Sequence, residues 1–187
     1  MKLSILLASA AMLVTPLAAN ALVYQFNASL SGANEVPANA ATGTGVATLS
    51  YNDNNTALTT DDSYSFSMSA FGLSGVATGF HIHAPAPVTG NAPVVVNLNA
   101  LPFMALNPGG FLLVGGAGVV PPNAAFLGNL QAGLAYVNIH TVAKPGGEIR
   151  GQLLPVAVVP EPSTYALLLA GLGMVGMAAR RRSPAGR

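Results

Sequence analysis

From Ser63 to Phe71, serine alternates with Tyr64, Phe66, Met68 and Ala70 without a break. A period of two places the four apolar residues on one face and the serines on the other. That is the pattern of a strand in an antiparallel sheet, buried on one side and wet on the other. Residues 22–30 repeat it, with Tyr24, Phe26, Ala28 and Leu30 opposed to Gln25, Asn27 and Ser29. Ala47, Leu49 and Tyr51 share a face in the next run, and Asn52-Asp53-Asn54-Asn55 then supplies turn chemistry. Further strands are expected at 78–83, 93–98, 134–141 and 148–154, with turns at 84–92 and 144–147. Only 123–131 reads as helical. The Gly- and Pro-rich stretch 99–122 reads as a surface excursion or a hairpin through 111–114. The expected fold is all-β: an antiparallel Greek-key β-sandwich of seven to eight strands over 22–154.

The two ends do not follow this pattern. Met1-Lys2, an apolar run over 3–14 and Ala19-Asn20-Ala21 form an expected signal peptide, residues 1–21, cut after Ala21 by signal peptidase. Residues 155–187 carry a linker and a second address: a motif at 159–164 with Pro160, Glu161 and Pro162, an apolar stretch at 165–179, and a basic end at 180–187 with Arg180, Arg181 and Arg182. The apolar stretch predicts a short C-terminal hydrophobic helix about 22 Å long. A hydrocarbon core is about 30 Å thick, so such a tail makes only transient contact with the inner membrane, its arginines on the cytoplasmic side. This tripartite ending resembles the PEP-CTERM sorting signal of Gram-negative bacteria. The resemblance implies recognition of Pro-Glu-Pro, removal of the tail by an exosortase, and export to the cell surface or extracellular matrix.

The whole chain has a formal charge of +1, but most of its positive charge sits in the two ends. The middle keeps Lys144 and Arg150 against Glu35, Asp53, Asp61, Asp62 and Glu148, a net charge of about −3. Without a basic patch, nucleic acid is excluded as a partner. The chain has no cysteine, so thiol chemistry is excluded and packing alone must stabilise a domain exported to a disulfide-permissive compartment.

All three histidines fall in two strand motifs, Phe80-His81-Ile82-His83 and Val137-Asn138-Ile139-His140. If Phe80, Ile82, Val137 and Ile139 enter the core, His81 and His83 project from the opposite face, as do Asn138 and His140. Two imidazoles at i and i+2 and a third on another strand can meet on one metal, provided the strands are neighbours. Glu148 or Glu35 would complete the set, and an imidazole-rich site suits copper or zinc. The competing reading makes these histidines hydrogen-bonding caps for nearby loop carbonyls and leaves the protein without a cofactor. Glu148 and Arg150, at i and i+2, are expected to pair with each other.

The same residues carry a family resemblance. Leu30-x-Gly32-x-Asn34-Glu35-Val36-Pro37, Gly43-x-Gly45-x-Ala47, Phe71-Gly72-Leu73-Ser74-Gly75 and His81-Ile82-His83-Ala84-Pro85 occur in order. Tyr136-Val137-Asn138-Ile139-His140-Thr141 and Pro145-Gly146-Gly147-Glu148-Ile149-Arg150-Gly151-Gln152-Leu153 follow. Together they resemble a CHRD domain, which implies an extracellular β-sandwich seen with adhesion, matrix or signalling proteins. More weakly, Gly79-Phe80-His81-Ile82-His83 is similar to the copper-binding strand of copper/zinc superoxide dismutase, with Arg150 in the place of an anion-guiding arginine.

No Gly-x-Ser-x-Gly elbow, phosphate-cradling loop or spaced carboxylate pair is legible. The expected function is therefore a non-enzymatic one: a cell-surface or exopolysaccharide-matrix module that binds exopolysaccharide or surface proteins. The alternative is a copper or zinc protein with superoxide-dismutase-like redox activity through His81, His83 and His140.

Overall fold

A computed structural model describes residues 22–56, 58–106, 111–120, 125–157 and 162–182. It contains two units, 1–155 and 156–187. In the first, the period-two runs become long strands: β1 (Val23–Ser31), β2 (Thr44–Asn52) and β3 (Ser63–Phe71) form an antiparallel meander. β4 (Ala77–His83) and β5 (Val94–Asn97) follow, then β6 (Phe103–Leu106), β7 (Phe111–Val119) and the short helix α1 (Phe126–Gln131). β8 (Tyr136–Thr141), β9 (Ile149–Gln152) and β10 (Leu154–Pro155) complete the unit.

The strands run in the order β5-β4-β8-β9-β1-β2-β3-β7-β6, with β10 also on β1. The chain leaves one half of the sheet after β3, returns at β6–β7 and leaves again for β8, the crossovers of a Greek key. The sheet curls so that its halves share a core. Phe26, Leu49, Phe66 and Met68 from β1–β3 cluster with Phe80, Ile82, Val137, Ile139 and Ile149 from β4, β8 and β9. The all-β antiparallel fold read from the alternation is the fold observed.

Among the described residues ten strands replace the expected seven or eight, for two local reasons. The expected last strand divides at Leu153 into β9 and β10, which lie along β1 in one continuous register. The Gly-rich stretch is a hairpin, and its second strand β7 pairs with β3 along nearly its full length. Gly116 and Gly118 stand opposite Phe66 and Tyr64. A Cβ at Gly118 would lie 2.7 Å from the Tyr64 hydroxyl, so the missing side chain is the space the aromatic ring fills. Tyr51 is core as well: its hydroxyl donates to buried Asp62 at 2.5 Å and its ring meets Phe126 of α1.

The second unit is helix α2 (Pro162–Arg182), which extends beyond the expected apolar stretch at both ends and takes in Arg180, Arg181 and Arg182. Among the described residues no helix is long and apolar enough to cross a membrane. Ala19, Ala21, Pro160 and Glu161 lie outside the described residues, and Pro162 opens α2.

Candidate metal centre

β4 and β8 are hydrogen-bonded neighbours, which is the condition the sequence left open. Their core face carries Phe80, Ile82, Val137 and Ile139, all buried. On the other face the register sets Gly79 opposite His140, His81 opposite Asn138 and His83 opposite Tyr136. β9 adds Arg150 opposite Asn138 and Gln152 opposite Tyr136. Pleat and register thus gather every histidine of the chain at one corner of a small polar face. Ring centroids lie 5.2 Å apart for His81–His140, 5.8 Å for His81–His83 and 6.2 Å for His83–His140. One nitrogen from each ring falls within 4.8 Å of the others.

The hydrogen bonds distinguish the two nitrogens of two of these rings. His83 Nδ1 is 2.9 Å from the Ala92 carbonyl and His140 Nδ1 is 2.9 Å from the Pro145 carbonyl. A carbonyl can only accept, so both Nδ1 atoms carry a proton, and in the neutral tautomer this selects the lone pair lies on Nε2. His83 Nε2, His140 Nε2 and His81 Nδ1 are all buried without a hydrogen-bond partner. Loop capping is therefore compatible with metal ligation, since the cap holds the tautomer that a metal would need. Burial, reinforced by the neighbouring imidazoles, pushes His81 below its ordinary range. Burial does the same to His83 against its bond to Ala92, with His140 and Arg150 adding to the shift. Neutral rings at neutral pH are the ligating form. Gly79 supplies room: a Cβ there would stand 3.0 Å from Cε1 of His81.

Two sequence expectations fail here. Glu148 does not join the histidines: fully buried, it accepts from the Ser74 backbone N–H and from Thr141 Oγ1, at 2.6 and 2.5 Å. Thr141 faces the other side of β8, so this carboxylate is turned away from the cluster. Nor do Glu148 and Arg150 pair with each other. Arg150, 1% exposed, donates to the carbonyls of Gly90 and Pro87 and to Asn91 Oδ1, and its guanidinium carbon sits 3.4 Å from the centroid of the Tyr136 ring. His83 stacks on that same ring at 4.8 Å. Arg150 is thus a buried brace for loop 84–92 and not a solvent-facing guide for anions.

Sequence reasoning also missed the pairing of Glu35 with Asn138. Asn138 Nδ2 donates to Glu35 Oε2 at 3.4 Å, and both residues are more than nine-tenths buried. Gly147, with φ +131°, leaves space for this pair: a Cβ there would meet both Glu35 oxygens at 2.8 Å and Asn138 Nδ2 at 2.9 Å. Burial pushes Glu35 up from 4.5 to about 7, against the opposing pulls of the Asn138 amide and Arg150.

A raised carboxyl pKa stabilises the fold fully below the unfolded value and is lost as pH rises through the folded one. His81 and His83 act in the opposite sense, stabilising above their unfolded value and losing that contribution as pH falls. Glu35→Gln is accordingly expected to gain up to about 3 kcal/mol relative to wild type between pH 5 and pH 8. Paired thermal melts at the two pH values check this, and an equal difference at both would refute it.

A profile of the CHRD domain matches residues 26–153, and a profile of the PEP-CTERM protein-sorting motif matches residues 158–182. No curated protein and no solved structure matches the chain. The sorting motif implies export and surface sorting in bacteria by an exosortase-type system.

Proposed function

Because this chain belongs to the CHRD domain family and carries a PEP-CTERM sorting motif, we propose that it is an exported metal-binding module that holds one copper or zinc ion on His81, His83 and His140. One observation carries the reading: three buried ring nitrogens lack a hydrogen-bond partner, and all three belong to the same cluster. Lone pairs left unpaired in a folded interior cost free energy, and a single metal ion would satisfy all three at about 2.0–2.1 Å. Three neutral imidazoles without thiolate or carboxylate suit copper and zinc, with copper the tighter by intrinsic order. Three protein ligands also leave a coordination position open, as catalytic sites do and closed structural sites do not.

The proposed setting is the surface or exopolysaccharide matrix of a Gram-negative bacterium, reached after signal peptidase cleavage behind Ala21 and transient inner-membrane contact through the tail. In that setting the metal site is the chemistry of the module, and contacts with matrix or surface proteins hold it in place. Titration of the full chain, purified without affinity histidines, with Cu²⁺ and Zn²⁺ should show one tight equivalent. A folded protein with no saturable uptake would refute the proposal.

A further inference from the structure

We infer that Asn138 faces the open coordination position, its Oδ1 accepting a hydrogen bond from the ligand that completes the metal sphere, so that the site selects a small protic molecule of water or peroxide size over a small aprotic anion. The inference rests on the metal reading above. Asn138 lies directly opposite His81 across the β4–β8 pair, and His140 is two residues further along β8 on the same face. Directly opposed side chains in such a pair have Cβ atoms about 4.5–5.5 Å apart, so the amide adjoins the cluster.

The two halves of the amide are in different situations. Nδ2 is committed to Glu35 Oε2, whereas Oδ1 is buried with no partner. The amide nitrogen is the half turned toward Glu35, within hydrogen-bond distance of Oε2. The planar amide then leaves Oδ1 on the branch away from Glu35. Behind it, Glu35 is held by its bond to Asn138 and by the charge of Arg150, within the space that Gly147 leaves. The acceptor is therefore oriented from outside the cluster. A buried acceptor of this kind favours a partner with a proton to share and disfavours one without, because the latter leaves it unsatisfied.

The test compares azide binding to the copper-loaded full chain in three forms: wild type, Asn138→Leu and Asn138→Asp. Azide must displace the bound water yet cannot donate to Oδ1. Its affinity, read from the azide-to-copper charge-transfer band, should rise about tenfold in Asn138→Leu, the worth of one buried hydrogen bond. It should fall in Asn138→Asp, which keeps an acceptor and adds charge. Copper stoichiometry should stay at one in each. If Asn138→Leu does not fold, Asn138→Ala, which also removes the acceptor without adding charge, takes its place with the same expected rise. Unchanged azide affinity with one copper bound overturns the role of Asn138 and leaves the metal site standing. A wild-type chain that takes up neither copper nor zinc overturns both, and one that takes up zinc alone is put through the same comparison with cobalt in place of zinc, read from the azide-to-cobalt band.

Discussion

Alanine at His83 or at His140 is expected to weaken binding of the proposed copper or zinc ion by at least about 100-fold, more than the loss typical of a partner outside the ligand set. Each substitution removes one of three clustered donors, and among the described residues no carboxylate joins the cluster to replace it, since Glu148 is held by Ser74 and Thr141 and Glu35 accepts from Asn138. The fold should survive in both variants. His140 is only partly buried, and the core face of β4 and β8 is built from Phe80, Ile82, Val137 and Ile139, which neither change touches. Competition titration against a chelator of known affinity, with circular dichroism on the same samples, separates the two effects. Unaltered affinity in both variants would remove the histidines from the site. Lost affinity together with lost β-signal would assign the effect to folding instead.

Arg150→Ala is expected to destabilise the domain by about 3–5 kcal/mol, because it removes hydrogen bonds to two loop carbonyls and to Asn91 and uncovers the Tyr136 ring. For a domain of this size that lowers Tm by roughly 10 °C or more. Arg150→Lys should recover little of it, since an ammonium cannot reproduce the planar fork that reaches Gly90, Pro87 and Asn91 together. The loss should also reach the metal site. Loop 84–92 carries the Ala92 carbonyl that fixes His83, so the same variant should bind metal more weakly at temperatures where it is still folded. Thermal melts and the chelator titration check the two parts. A Tm within about 2 °C of wild type would show that the guanidinium does not brace the loop.

The sequence made the fold legible where side chains alternate in size and polarity. Ser63–Phe71 declares its buried face, and Phe80-His81-Ile82-His83 declares that its histidines oppose the core. It left β7 open between a surface excursion and a hairpin, because its glycines look like loop, whereas Gly118 exists to receive Tyr64 from the strand beside it. That is a property of the pair of strands, and a single strand read alone does not contain it. The histidine cluster was legible as a conditional: the residues and their faces were given, and the adjacency of β4 and β8 was not. Glu148 misled for a related reason. Strand alternation placed it with Arg150, but it precedes the first residue of β9, where the pleat no longer governs its side chain. Glu35 and Asn138 lie far apart in the chain and meet only because residues 32–41 fold over β9, with Asn34 donating to the Arg150 carbonyl and Asn39 to those of Gly147 and Glu148.

X-ray absorption at the metal edge of the copper- or zinc-loaded full chain tests the central claim most directly. Three imidazole nitrogens at about 2.0–2.1 Å, with the outer-shell scattering of histidine rings and one further light ligand, is the predicted result. A shell of carboxylate or water oxygens without imidazole scattering would contradict it, and so would the failure to retain a stoichiometric metal for the measurement.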